Sequence, residues 1–444
     1  MQTTSQLNAI TAAEHAAVMS SPYADSFTPN ADGRMHSMHH EKFDATGWTS
    51  PNGIEVIPSN VVYQDAGKIA IVTYKLETGY KFLDGSKLGV DVPYTELADE
   101  YKGMYRYRFV KNLLFKIAKE CRFGSSDTDI GSIDPYGQEA LYNTFTPAGS
   151  KEALESDMGH DTICELWTTS SMPAKTVYAP QQFGYSLCGA VKAWPLYKQK
   201  KTAKVFHEYK FRLHILKYIE MEKFDEEKVV WVEHVADASL FKALPTAFAQ
   251  PRLYCKVSDV SPVEMAKRGE SLETNDFYIF KMIKCELANK FGPGTSVPIP
   301  IAGPGLCQAL FFSMENVTYK KYNKTNYTTS LREDVWSKSS IVSCSLLMPQ
   351  GPKYKDLDSQ LLETQMSLHA LPSKGKRKGL HCHLYVNYVG SENNGGAYLA
   401  ADLNVVMKNT ISPEAPAGSV FKPRVQMLVI QRCTFSEDGS FKIV

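Results

Sequence analysis

MYRYRFVKNLLFKIAKECRF, residues 104–123, admits two readings, and the choice between them decides the fold. With period two, Tyr105, Tyr107, Phe109, Leu113, Phe115, Ile117, Cys121 and Phe123 share one face, with Arg106, Arg108, Asn112, Lys116, Glu120 and Arg122 opposite. With period 3.6, Phe109, Val110, Leu113, Leu114, Ile117 and Cys121 make an equally good helical stripe. A strand here points to an all-β chain, whereas a helix leaves an α/β enzyme open.

The neighbours arbitrate. Residues 206–221 alternate Tyr209, Phe211, Leu213, Ile215, Ile219 and Met221 against Lys210, Arg212, His214 and Glu220, which predicts a strand. Residues 277–287 alternate in the same way. A β-sandwich needs partners for these strands, so the opening stretch divides into a short turn or helix over 102–109 and a strand over 113–123. In that strand Leu113, Phe115, Ile117, Cys121 and Phe123 face the core and Lys119 is the one misfit.

Further strands are expected at 68–76, continuing at 79–83, then at 177–188, 229–232, 306–312, 341–348, 380–389, 398–407 and 425–434. The last two are apolar on both faces, as buried central strands are. Residues 124–162 read as a long polar excursion with one short helix near 151–156, and 292–305 as a Pro/Gly-rich connector. Residues 1–53, rich in Ser, Thr, Ala, His and Asn, read as an arm, and 54–444 as one β domain with large loop insertions. The predicted fold is all-β: an eight-stranded antiparallel jelly-roll β-sandwich with long inserted surface loops.

Composition narrows the function. Forty-nine basic residues against 48 acidic ones give a formal charge of +1, and residues 1–40 hold one Arg and no Lys, so no basic tail gathers nucleic acid. Nine cysteines without a CxxC pair suit reduced thiols. No run approaches the ~20 apolar residues that span a bilayer, and the first thirty residues lack an apolar signal core.

Catalytic patterns are missing: there is no G-x-x-x-x-G-K-[ST], G-x-S-x-G, G-x-G-x-x-G or H-E-x-x-H. His160-Asp161 is half of a phospholipase-like pair without its calcium loop, and a polar loop is the simpler reading. His381 and His383 lie at i and i+2 on one strand face, which seeds a metal site if a third ligand arrives; a solvent- or subunit-facing pair is the simpler reading. His36, His39 and His40 cluster in the arm. Lys374, Lys376, Arg377 and Lys378 read as a nuclear address or a solvated loop, and Lys198, Lys200 and Lys201 are a second basic run. The expectation is a non-enzyme without cofactor.

Val177-Tyr178-Ala179-Pro180-Gln181-Gln182-Phe183-Gly184-Tyr185-Ser186-Leu187 resembles the parvovirus capsid pattern V-P-Q-x-G-Y-x-x-L, which begins a strand partway through a jelly roll. Residues 112–123 followed by Gly124 resemble the strand that, in that family, comes soon after a Pro-aromatic segment, here Val92-Pro93-Tyr94. The phospholipase domain and the Gly-rich stretch of many members are absent, so the resemblance is to the divergent, densovirus-like ones. It implies a capsid protein that self-assembles into a non-enveloped icosahedral shell around single-stranded DNA, is built in the host nucleus, and meets a host-cell receptor.

Three other readings compete. Two jelly rolls of ~200 residues would fit the length, as in major capsid proteins of double-stranded DNA viruses. A β-sandwich ligand-binding protein predicts a monomer with an aromatic-lined cleft. A β-rich hydrolase would use one of the cysteines.

Overall fold

The computed structural model describes residues 27–29, 35–37, 54–76, 80–125, 128–145, 154–180, 205–259, 277–318, 326–330, 337–349, 351–362, 378–385, 397–399, 403–435 and 441–443. In the N-terminal half, β1 (Ile54–Val56), β2 (Asn60–Gln64), β3 (Ile69–Leu76) and β4 (Tyr80–Val92) lead into β5 (Tyr105–Phe109) and α1 (Leu113–Ile117). β6 (Ala118–Ser125), β7 (Thr128–Ile133), α2 (Pro135–Phe145) and β8 (Lys175–Pro180) follow. β9 (Val205–Arg212), β10 (Ile219–Asp225), β11 (Val230–His234) and β12 (Arg252–Asp259) complete the half.

These strands make a five-stranded sheet, β7-β6-β9-β3-β2, and a four-stranded sheet, β8-β4-β12-β1. Ala70, Val72 and Tyr74 of β3 and Tyr209 and Phe211 of β9 project into the space between them, together with Leu88 and Val90 of β4 and Val177 of β8. A small sheet, β11-β10-β5, stands beside this sandwich.

The C-terminal half holds β13 (Phe277–Lys284), β14 (Ser296–Ile301), β15 (Leu306–Asn316), β16 (Ile341–Met348), β17 (Gly351–Asp358), β18 (His381–Leu384), β19 (Val405–Ile411) and β20 (Phe421–Phe435). One sheet runs β13-β20-β15-β18 and the other β14-β19-β16-β17. Through these eight strands the chain changes sheet at every step except the β16–β17 hairpin, as a jelly roll is wound, and the short strands Ala397–Tyr398 and Phe441–Ile443 add to the first sheet. Its interior is a separate cluster that includes Val297, Ile299, Leu310, Phe312, Met314, Leu346, Met407 and Val425. The all-β expectation agrees with these antiparallel sheets. The strands, however, are shared between two sandwiches and are not gathered into one of eight strands.

Four expectations are corrected. The opening stretch divides the other way round: 105–109 is strand and 113–117 is helix. Tyr105, Tyr107 and Phe109 are buried while Arg106 and Arg108 point outward, so strand alternation holds there. Asn112 then takes a left-handed conformation (φ 55°), breaking the strand, and all five helical residues are buried, so no face contrast betrays their period. Residues 206–221 form two strands, β9 and β10, in different sheets; a 3-10 turn at Ile215–Tyr218 bends the chain while the buried side chains stay in phase. The excursion 124–162 contains β7 and α2. The 292–305 connector contains β14, in which Val297, Ile299 and Ile301 point inward and Pro298 and Pro300 outward on a strand paired on one side only; prolines are tolerated at such an edge because they donate nothing to a ladder.

Candidate assembly site: the seam and the outward sheet

The two sandwiches meet at α2. Asp134 caps its first turn, its Oδ1 accepting the Gly137 N–H at 2.9 Å, and Pro135 takes the first helical position, where no donor is needed. Gln138 and Glu139 are each 2% exposed, so this helix is buried on its polar side too and must find partners there. Gly137 is required by closeness: a Cβ would sit 2.8 Å from Gln426 Oε1 and 3.0 Å from Ile133 Cγ2.

The partners come from both halves. Glu139 Oε1 accepts from Asn112 Nδ2 at 2.6 Å, and Glu139 Oε2 accepts from the Tyr327 hydroxyl at 3.1 Å. Because the Asn112 amide nitrogen donates to Glu139, its Oδ1 is left to accept from His160 Nε2 at 3.1 Å, which puts the imidazole proton on Nε2. Tyr136 donates to the Arg424 carbonyl at 3.3 Å and meets the Tyr327 ring edge-on at 5.8 Å. Gln426 Nε2 donates to Asp134 Oδ1 at 2.9 Å, and Lys284 Nζ lies 3.0 Å from Asp134 Oδ2. Arg424 donates to Glu315 at 2.7 Å and to Glu286 at 2.8 Å.

Burial alone would raise the Asp134 carboxyl; Lys284, the Gly137 N–H and Gln426 outweigh it and hold the group below the usual carboxylate range. Arg424 is desolvated yet held more firmly protonated by Glu315 and Glu286. Lys119, which misfits as a core strand residue, lies beside this seam, and burial, then Arg212, pull its ammonium down to about 8.

The small sheet carries a different constellation. Arg106 Nη2 lies 2.6 Å from Glu222 and Arg108 Nε 2.9 Å from Glu220, so each pair joins β5 to β10. The Arg106 guanidinium stands 4.8 Å from the Trp167 ring and 4.5 Å from Trp231, and Arg108 stands 4.5 Å from Trp167. The β10–β11 turn is closed by Asp225, which accepts the Glu227 and Lys228 N–H groups at 3.1 and 3.2 Å. Val229 follows at φ 53° and is 73% exposed, an outlying conformation for a β-branched residue.

The residues singled out from the sequence fall as follows. Lys374, Lys376 and Arg377 lie outside the described residues, as do Lys198, Lys200, Lys201, His39 and His40. His36 sits in a short strand, Met35–Ser37. Lys378 is half-buried in a turn. His381 and His383 do share a face, but it is the interior of the C-terminal sandwich and not solvent. His381 is fully buried, stacks on Phe312 at 5.5 Å and pairs through Nε2 with Ser339 Oγ at 3.0 Å; burial pulls it down to about 4. His383 packs between Tyr354 and Tyr385, at 5.4 and 4.7 Å. Among the described residues no three His, Cys, Asp or Glu side chains are grouped to hold a metal.

His160 and Asp161 diverge: His160 faces Asn112, while Asp161 accepts from Ser156 at 3.0 Å on the surface. Burial pushes the thiols of Cys164 and Cys344 up to about 12, far from the thiolate that a cysteine hydrolase requires. Among the described residues no helix is long and apolar enough to cross a membrane. The seam residues are not singled out by sequence reasoning. Asp134-Pro135 with Glu139 downstream was the available signal, a helix start carrying an acid on its second turn.

No protein-family model and no curated protein matches the sequence. The fold is similar to that of the Faustovirus major capsid protein (TM-score 0.60, 8% identity, covering 97% of this chain and 98% of that one). It is similar to the PBCV-1 virus capsid in a quasi-atomic model (0.61, 8%, 88% and 96%) and to the mavirus major capsid protein (0.55, 11%, 90% and 91%). None of these is a parvovirus protein, so the resemblance read from residues 177–187 holds only at the coarser level of a viral-capsid fold.

Proposed function

We propose that this chain is a structural, non-enzymatic viral capsid protein of the two-jelly-roll kind found in major capsid proteins of double-stranded DNA viruses, and that its copies build a closed icosahedral shell. The observation that carries this reading is the seam: two antiparallel sandwiches joined by buried charge and hydrogen bonds through α2. Likeness over 88–97% of the chain to the capsid folds supports it. This replaces the single-stranded DNA, parvovirus-like shell read from residues 177–187 and 112–124, since the similar folds are those of double-stranded DNA virus capsids. Under this reading the units are 54–259 and 277–443 in place of one domain over 54–444, with 1–53 still an arm. The partners are other copies of the chain, the enclosed genome and a host receptor.

Shell assembly needs flat, stiff blocks that tile, because bending at an internal hinge would blur the angle between neighbours. The test is expression of the full chain alone, followed by electron microscopy and sedimentation. Uniform hollow particles, or discrete oligomers that close into them on raising salt or concentration, are expected; a monomer at several milligrams per millilitre sinks the reading. A nuclear address at Lys374, Lys376, Arg377 and Lys378 is a separate proposal. Fusing residues 370–380 to a fluorescent reporter tests it, and a reporter spread evenly through the cell refutes it.

A further inference from the structure

Two of the end strands of the N-terminal sheets, β2 and β11, have open edges with little to blunt them. Among the described residues β2 pairs with β3 alone and β11 with β10 alone. An open edge is a row of unpaired N–H and C=O groups, normally blunted by Lys, Pro or a bulge. β14 shows such a guard in Pro298 and Pro300. β2 has none: Asn60-Val61-Val62-Tyr63-Gln64 contains no charge, no proline and no register shift. β11 opens Val230-Trp231-Val232 before its first acid. Val62 and Tyr63 are 42% and 56% exposed, and Val230 and Val232 46% and 44%. The strained, exposed Val229 at the end of β11 adds to the same apolar rim.

We infer that these edges are made for each other: β11 of one copy adds to β2 of the next, antiparallel, with Val62 opposite Val232 and Tyr63 opposite Trp231. The proposal rests on the shell reading and names the contact between copies. The occupant is a second copy because the two edges match in length and in side-chain order, and the Asp65 and Lys228 turns that meet carry opposite charge. In this register the valines meet on one face and the two aromatics on the other, the pairings that stabilise antiparallel ladders. The turn after β2, bearing Asp65, meets the turn before β11, bearing Lys228. Asn60 then faces His234 and Gln64 faces Val230; Glu233 opposite Val61 is the one poor match. Each copy gives one edge and receives on the other, so the contact is heterologous and extends into a ring or a sheet of copies.

The full chain tests this. Val62→Lys and Val232→Lys each remove one edge, and each alone should move the protein from assemblies to monomers in sedimentation. Mixed together they should give dimers only, since V62K keeps β11 and V232K keeps β2. A chain carrying both Val62→Cys and Val232→Cys, oxidised, should form a ladder of covalent multimers with a mapped 62–232 link. Directly opposed Cα atoms ~4.5–5.5 Å apart are within disulfide reach. Chains with either cysteine alone should give no such ladder. Circular dichroism checks folding, and the cross-link decides if a Lys variant unfolds. Particles from the unmodified chain, with both Lys variants assembling equally well and no 62–232 link, overturn the edge pairing and leave the shell reading standing. Linked chains that never close into particles support the pairing and refute the shell. A monomer with no link refutes both.

Discussion

Glu139, 2% exposed, accepts from the Asn112 amide and the Tyr327 hydroxyl. Glu139→Ala takes this acceptor from both buried donors, and the expected loss is about 2–4 kcal/mol, read from urea unfolding. A loss under about 0.5 kcal/mol would mean the seam is wetter than its geometry indicates. His160 and His381 give the chain an acid-sensitive window. Both have folded pKa values lowered to about 4, by burial first and, for His160, then Lys111. An unfolded histidine titrates near ~6.5. Between those values the unfolded chain binds protons that the folded chain refuses, so stability is full above ~6.5 and falls as the pH drops toward 4, by on the order of 3 kcal/mol per histidine. Asp134, lowered instead, loses its contribution only below the ordinary carboxylate range, so the two windows are separate. His381→Gln should flatten the first window in a pH series of melting temperatures; an unchanged slope between pH 6.5 and 4 would refute the assignment.

At the scale of elements, the outward sheet depends on its ladder of Arg, Glu and Trp. Trp231→Ala removes the Arg106 stack and the contact of Phe224 with Trp231 at 5.2 Å. It should cost about 1–3 kcal/mol and expose β11 to protease, whereas Glu233→Ala, further along the strand, should have a smaller effect; equal protease sensitivity of the two would argue against the ladder. Strands with one wet face were legible in the sequence, as Tyr105-Arg106-Tyr107-Arg108-Phe109 and Val297–Ile301 show in hindsight by strict alternation. The first is masked by its neighbour α1, whose five residues are all buried, and the second by prolines, which elsewhere mark turns and here guard an edge. α2 was hidden for a different reason. It is buried on its polar side as well, Gln138 and Glu139 lying as deep as Ala140, Leu141 and Tyr142, so no wet face sets off an apolar stripe; its Asp-Pro start is the local clue. The seam partners Arg424 and Gln426 follow from topology alone, since nothing in a sequence pairs position 134 with 426.

At the scale of the molecule, the seam couples two sandwiches that each have their own interior. Arg424→Met leaves Glu286 and Glu315 facing one another in low dielectric, a loss of about 3–5 kcal/mol. The single calorimetric transition expected of the intact chain should then split in two, one for each sandwich. A chain that already melts in two steps would show the sandwiches to be independent.

Gln426 and Asp134 are separated by 292 residues, so the strand that supplies Gln426 and Arg424 is made well after α2. At ~5–20 residues per second a ribosome takes roughly 15–60 s to travel that distance. Throughout that interval α2 carries Asp134 without Gln426 and Tyr136 without the Arg424 carbonyl. Closing the seam therefore certifies that translation has reached β20. A chain stopped at residue 420 should fail that inspection, binding a hydrophobic dye and being cut within α2, while the complete chain resists. Resistance in the shortened chain would show that the certificate is issued earlier.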